Sequence, residues 1–408
     1  MAVGTSTAVR WIKAVPFHWL AVTSMLVAAS DYIRAVLATG GERTLVFSTY
    51  WAAGKALRTG ADPFSWLPET YSGYIGDTLF GDVNLNPPIF LPIAQGLAQF
   101  PLTQAAIGWC LLSVVLLIGT VLAYGRAVGA ERIRVAWALL LPAFANSLFL
   151  GQNYLLLYLP AFVLGWAVLT GRMTVAAVAA GWIVAFKPNL GMILPVLALA
   201  GHWRFAIRSG LVAGGLTLLP AFLYGPNIYW QWLAAVRGDF HWMLPATVSI
   251  ASAFKRLGME GAGWAVVAVL AAGVFWHARS RRPALPEALA TGFLLGMLCS
   301  PLAWYHYLIV IVPFLMIWPW RADQVGGPLL VGAGLMLVSP DWIGRLAQLP
   351  GGAGVAAQAF HTLVALILLL GVLVRAGMKP ATDPEHCHGR VSETGHGKGA
   401  QDQGPEGG

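Results

Sequence analysis

Charge is what this chain has least of. Acidic and basic residues together make up 10% of its 408 residues, against 58% hydrophobic ones, and the mean hydropathy is +0.68. An ordinary soluble domain carries about a quarter of its residues as charges, so that class is excluded. Cysteine is scarce too. Cys110, Cys299 and Cys387 show no metal-ligand spacing, and the first two lie in apolar runs, so they are expected to be inert packing residues. No nucleotide-binding loop is visible: GGAG at 351–354 lacks the Lys-Ser/Thr ending that cradles phosphates. A basic cluster interleaved with aromatics is missing as well. The net charge of +8 falls in short loops between apolar runs, which sets nucleic acid aside as a partner. A cleavable leader is not expected, because the apolar run from about Phe17 is long enough to be a retained helix.

What the chain does have is apolar length. The expected fold is all-α, a polytopic transmembrane helical bundle of about 12 spans, placed near 17–38, 103–125, 134–150, 154–170, 173–187, 189–201, 209–224, 262–279, 285–300, 304–320, 327–340 and 354–375. Eighteen Trp suit a protein with aromatics at its membrane interfaces. Arginine then sets orientation. Arg10 and Lys13, Arg126 to Arg134, Arg172, Arg204 and Arg208, Arg279 to Arg282, Arg321, and Arg375 with Lys379 all fit one cytoplasmic face. Residues 87–101 (PPIFLPIAQGLAQFP) would upset that count if they crossed. Their prolines suit a short or re-entrant helix, tolerated where protein surrounds it. The layout is then a cytoplasmic N-terminus over 1–16, a transmembrane domain over 17–376 and a disordered cytoplasmic tail over 377–408. His386-Cys387-His388 in that tail is taken as incidental. Both termini on the cytoplasmic face follow from the same reading.

The polar insertions fall on the opposite face. The first outer loop, 39–86, carries Tyr50 to Arg58 with helix-forming, amphipathic content, expected to lie along the membrane surface with Tyr50 and Trp51 at headgroup depth. Among its acids and their neighbours, Asp31 is distinctive, because it follows about fourteen residues of apolar helix. Either it is functional or Arg34, one turn on, neutralises it. Lys187, ending an apolar helix before a proline, either snorkels to the interface or holds an anionic headgroup. Gln152 and Asn153 either cap helix ends or meet substrate. His306, among Trp304, Tyr305 and Tyr307, is either an interfacial aromatic-belt residue or a group for binding phosphate or moving a proton.

At these residues the chain resembles the integral-membrane, polyprenol-phosphate-sugar-dependent glycosyltransferases of the GT-C superfamily. It is most similar to the bacterial alpha-1,2-mannosyltransferases that include the phosphatidylinositol-mannoside enzymes. The resemblance runs over most of residues 45–320 and rests on YWAAGKALRTGADPF, NLNPPIFLPIAQGLAQFP, GQNYLLLYLPAF, AFKPNLGMILPVLAL and SPLAWYHYLIVIVPF, in that order. It implies a polyprenyl-phosphate hexose donor, a glycolipid or glycan acceptor and inverting, metal-independent, cofactor-free transfer. It also implies an outward-facing cavity, an acidic base in the first outer loop and a role for His306. One departure matters: the family's acidic position, four residues before Tyr50, is Val46 here.

The site expected on this combined reading has Asp31, Asp62 and His306 as catalytic candidates, with Asp31 preferred as the base and Glu42 a further acid to consider. Lys187, Gln152, Asn153, Asn189 and Tyr305 are candidates for binding the donor phosphate and substrate. Two other classes stay open. A lipid or solute transporter also places polar groups near broken helices, although no convincing internal repeat is found. A non-catalytic scaffold of an envelope-glycan assembly is made tenable by Val46.

Overall fold

The computed structural model of the chain describes residues 17–39, 46–65, 84–238, 245–318 and 326–377. Glu42 and the His386-Cys387-His388 cluster lie outside them. Among the described residues every regular element is a helix, and β-type pairing is confined to an isolated bridge between Thr247 and Trp304. The chain runs through α1 (Phe17–Ala38) and α2 (Val46–Thr59), then a 3-10 turn, Pro88–Phe90, that leads into α3 (Leu91–Leu97). Next come α4 (Leu102–Ala127), α5 (Arg132–Leu139), α6 (Pro142–Phe149), α7 (Leu155–Leu169) and α8 (Met173–Phe186). A 3-10 turn, Pro188–Met192, opens α9 (Ile193–Leu199), followed by α10 (Trp203–Tyr224), α11 (Asn227–Gly238), α12 (Ile250–Arg256) and α13 (Glu260–Arg281). The last group is α14 (Leu285–Cys299), the 3-10 stretch Tyr305–Ile311, α15 (Val312–Ile317), α16 (Gly327–Leu335), α17 (Pro340–Leu346) and α18 (Gly352–Gly377).

Length decides which of these can cross a bilayer, since a crossing takes about 20 residues. Helices α1, α4, α10, α13 and α18 qualify, and α16 with α17, bent by 81° at their junction, make a sixth if taken as one broken span. Among the described residues five or six helices meet that measure, with six further apolar helices of 10–17 residues, so the expected count of about twelve is not confirmed. Proline is one reason. Pro142 divides the run expected as one span into α5 and α6, because proline cannot donate the helical hydrogen bond. The stretches left between the expected spans at 225–261 and 341–353 also hold helices, α11, α12 and most of α17.

Helix α14 sits at the centre, buried continuously from Glu287 to Leu298. Its neighbours approach through glycine. A Cβ on Gly292 would stand 2.5 Å from Ile193 Cα, and one on Gly296 would stand 2.6 Å from the Asn189 carbonyl oxygen. Small residues let membrane helices pack backbone to backbone, where van der Waals contact replaces the hydrophobic drive. The outer helices do the reverse. Phe222 and Leu211 of α10 and Trp276 and Val269 of α13 are largely exposed, as apolar side chains facing lipid would be.

One expectation about α2 is corrected. The helix forms, but Tyr50 and Trp51 turn into the protein instead of out to headgroup depth. Gly54 explains this: a Cβ there would fall 2.0 Å from the Ala94 carbonyl oxygen, so α2 lies directly on α3. The Tyr50 ring meets Phe90 edge-on at 4.9 Å, and Trp51 Nε1 donates to the Phe100 carbonyl at 2.9 Å. Both aromatics are spent on internal packing.

The bundle has two chemically distinct ends. At one, Arg375 pairs with Glu287 and stacks over Trp318, while Arg134 donates to the Met316 and Trp318 carbonyls. At the other, His361 lies near the start of the same helix α18 that carries Arg375 near its finish. Fourteen residues separate them, about 21 Å along the axis.

Candidate active site

Lys187 is where it is because of Pro188. The residue before a proline is pushed out of the helical region, and Lys187 takes φ −135°, ψ 84°, ending α8. Its side chain is then delivered into the protein, only 8% exposed, and Nζ donates to Asn86 Oδ1 at 2.8 Å. The snorkelling alternative is not what the fold adopts. Three rings surround the ammonium: Phe186 at 5.0 Å, Tyr307 at 5.2 Å and Tyr154 at 5.7 Å from Nζ. Asn86 is itself held, with its backbone N–H and its Nδ2 both donating to Asn84 Oδ1 at 3.0 Å.

Tyr154 joins the lysine to the histidine. Its ring stacks on His306 at 5.0 Å and meets Tyr307 edge-on at 5.9 Å. His306 is 3% exposed, and among the described residues neither of its ring nitrogens has a hydrogen-bond partner. Asn153, next to Tyr154 and fully buried, likewise has no partner for Oδ1 or Nδ2 among the described residues. Buried polar groups are normally satisfied, and leaving one bare costs about 1–3 kcal/mol. These two side chains, one next to Tyr154 in the chain and one stacked on its ring, lie near the Lys187 ammonium that the same ring faces.

The other candidates frame this centre. Gln152 Oε1 accepts from the Tyr50 hydroxyl at 2.6 Å, and its carbonyl accepts from Trp109 Nε1 at 3.1 Å, so the Gln152–Tyr154 turn is fixed from two sides. Gly151 just before it has φ +63°, and a Cβ there would meet Tyr32 Oη and Phe47 Cβ at 2.7 Å each. Neither the backbone nor the space admits a side chain. Asn189 Nδ2 donates to the Leu302 carbonyl at 3.3 Å, bracing the segment that carries His306. The Tyr305 hydroxyl accepts from Asn146 Nδ2 at 2.9 Å.

Asp31 and Asp62 stand apart from this group. Asp31 pairs with Arg34 on the same helix and its side chain is 52% exposed, so the neutralising alternative is the one the fold adopts and the expected desolvation is not seen. Its neighbour Tyr32, by contrast, is buried against Gly151. Asp62 Oδ1 accepts from the Phe64 N–H at 2.9 Å, forming a local turn beyond α2.

Residues missed by sequence reasoning complete the centre. Asn86 lay within the NLNPP run without being singled out, and Tyr154 within GQNY. His361 lay in an expected plain span; its one available signal was an ionisable residue in an apolar helix, which usually marks function.

The family model of glycosyltransferase family 87 matches residues 84–301, more than half of the chain. The chain belongs to glycosyltransferase family 87. It is a membrane glycosyltransferase, acting on a donor and an acceptor. No curated protein and no solved structure matches it. The family-87 match takes in Asn86, Gln152, Asn153, Lys187 and Asn189, while Tyr305, His306 and His361 follow beyond its end.

Proposed function

We propose that this family-87 enzyme moves a hexose, with mannose the sugar suggested by the sequence resemblance, from a polyprenyl-phosphate donor to a glycolipid or glycan acceptor. The observation that carries this reading is the caged Lys187 ammonium, bonded to Asn86 beside the bare polar atoms of Asn153 and His306. A phosphate oxygen is the natural counter-charge for a lysine held in a largely apolar cage, since an unpaired buried ammonium is costly. The polyprenyl tail would remain in the bilayer while its phosphate reached the lysine.

On this reading the acceptor hydroxyl attacks the anomeric carbon as the bond from that carbon to the phosphate oxygen breaks. The configuration inverts. A carboxylate takes the hydroxyl proton, a role worth about 10²–10⁴-fold. Charge gathering on the departing polyprenyl phosphate is met by Lys187 and by donor groups of His306 and Asn153, with Gln152, Asn189 and Tyr305 shaping the pocket. No cofactor is assigned, because the donor carries its own leaving group. The resemblance puts the base among the acids of the first outer loop and its neighbours, so Asp31 is kept as the first assignment and Asp62 as the second, although Asp31 is paired with Arg34 and half exposed and Asp62 is engaged in a local turn. The site is assigned to the extracytoplasmic face of a bacterial inner membrane, with both termini cytoplasmic. Arg375, one of the arginines assigned to the cytoplasmic face, lies about 21 Å along α18 from His361.

The test is incubation of purified protein with radiolabelled polyprenyl-phosphate hexoses and membrane extract, beside the variants Lys187→Met and His306→Ala. Labelled acceptor together with released polyprenyl phosphate is expected, and both should fall in the variants. Passage of an intact substrate across proteoliposomes without bond cleavage would identify a transporter instead. Failure to turn over any donor, with no such passage, would leave a scaffold.

A further inference from the structure

His306 does not hold its own position. It sits in a 3-10 stretch with no ring-nitrogen partner among the described residues, so something else must orient its imidazole. The contacts run through residues 245–256. Tyr305 N–H donates to the Ala246 carbonyl at 2.9 Å, and Val248 N–H donates to the Ala303 carbonyl at 2.7 Å, which makes the bridge between Thr247 and Trp304. Ser252 Oγ donates to the Pro301 carbonyl at 2.6 Å.

That segment is fastened in turn to one face of α18. Gln358, His361 and Thr362 stand at i, i+3 and i+4, so they share a side of the helix. Arg256 donates through Nη2 to the Gln358 carbonyl and through Nη1 to Thr247 Oγ1 at 2.7 Å. Burial pushes the Arg256 pKa down to about 10, which leaves it charged at neutral pH. Thr362 Oγ1 donates to the Ser249 carbonyl at 3.3 Å. Between these two fastenings is His361, 4% exposed, with Nδ1 at 3.1 Å from the Pro245 carbonyl oxygen. A carbonyl only accepts, so Nδ1 carries a proton and donates it to Pro245. The Tyr305 ring then lies between two imidazoles, 3.9 Å from His306 and 5.0 Å from His361.

We infer that His361 is a positioning residue for His306, acting through Pro245, the 246–305 backbone bond and the Tyr305 ring. The membrane helix that supplies it lies wholly outside the stretch matched to the family model. Burying an imidazole there costs desolvation, and its Nε2 has no partner among the described residues. The Nδ1–H bond to Pro245 is what the position gains in exchange.

This inference rests on the proposed role of His306, and the experiment separates the two. Initial rates would be measured for His361→Ala, His361→Asn, His361→Leu, His306→Ala and the double variant His306→Ala/His361→Ala, with detergent-solubilised melting curves as folding controls. His361→Ala is expected to lower kcat by about 10- to 100-fold, the scale of a misplaced group, with donor KM changed far less. His361→Asn should recover most of that, because its Nδ2–H reaches the same carbonyl. In the His306→Ala background His361→Ala should cause no further fall. Should alanine unfold the protein, His361→Asn against His361→Leu makes the same comparison. An equal fall in both backgrounds, or asparagine no better than leucine, overturns the inference. Full turnover in His361→Ala beside an impaired His306→Ala overturns it alone. Full turnover in His306→Ala removes the proposed role of His306 and this inference with it.

Discussion

Lys187 Nζ donates to Asn86 Oδ1 at 2.8 Å, joining two residues 101 positions apart in a mostly aromatic cage. The amide gives the lysine nitrogen direction and, unlike a carboxylate, brings no negative charge to compete with an anionic ligand. Replacing Asn86 by Asp should therefore do more harm than replacing it by Ala. The aspartate would form an ion pair with Lys187 and compete with the donor phosphate. Asn86→Ala removes one hydrogen bond to a charged group, worth about 1.5–3 kcal/mol, and should lower kcat/KM by roughly 10- to 100-fold. Initial rates check the idea: the native enzyme should be fastest, Asn86→Ala slower and Asn86→Asp slowest. An aspartate variant as active as the native enzyme would remove Lys187 from phosphate binding.

The close approach of Gly296 to the Asn189 carbonyl predicts a coupled defect in stability and activity. Its missing Cβ would stand 2.6 Å from that oxygen and 3.1 Å from Leu190 Cα, and backbone cannot swing aside. Gly296→Ala should cost about 1–3 kcal/mol, as overpacking does. It should also slow turnover, because Asn189 braces the His306 segment through the Leu302 carbonyl. Gly273, on the outward helix α13, faces open space. Gly273→Ala should leave rate unchanged and Tm unchanged or slightly raised. Equal melting temperatures for the two variants would contradict the packing described for α14.

What the sequence made legible follows from the range over which each signal acts. Helical class, the break at Lys187-Pro188 and the polar character of Gln152, Asn153 and His306 are local, and could be read from composition and single residues. The direction in which a side chain points is not local. Tyr50 and Trp51 looked like interface aromatics because their helix is amphipathic, yet Gly54 brings α3 against that same face. Asp31 looked desolvated from its depth in an apolar run, whereas rotation of α1 buries its neighbour Tyr32 and leaves Asp31 with Arg34. Span number is not confirmed for a similar reason: an apolar run does not show where a proline such as Pro142 breaks it into shorter helices. His361 was overlooked because its partner Pro245 lies 116 positions away.

Val46 offers a gain-of-function test. It opens α2, where a carboxylate would be favoured by about 0.3–1 kcal/mol through the helix dipole. If Asp31 is the working base, Asp31→Asn should lower kcat by about 10²-fold or more. Adding Val46→Asp should restore turnover, since the resemblance puts an acid at that position. Initial rates of the two single variants and the double variant decide this. Native activity in Asp31→Asn would transfer the base to Asp62 or to an acid outside the described residues.

At the far end of α18 the pair Arg375–Glu287 should govern stability and leave chemistry alone. Arg375 Nε donates to Glu287 Oε1 at 2.9 Å, and the guanidinium lies 5.3 Å from the Trp318 ring. The glutamate side chain is 11% exposed and the arginine 30%. The pair thus stands between a surface bridge, worth about 0–1 kcal/mol, and a buried one, whose breaking costs about 3–5 kcal/mol. Glu287→Ala is expected to cost about 1–3 kcal/mol on that interpolation, read as a lower Tm in detergent. Glu287→Gln keeps an acceptor for Nε and should fall between. Because this pair is about 21 Å along α18 from His361, kcat of the folded fraction should not change in either variant. A fall in kcat without a fall in Tm would mean that the two ends of the helix are coupled, and the division of labour along α18 would have to be abandoned.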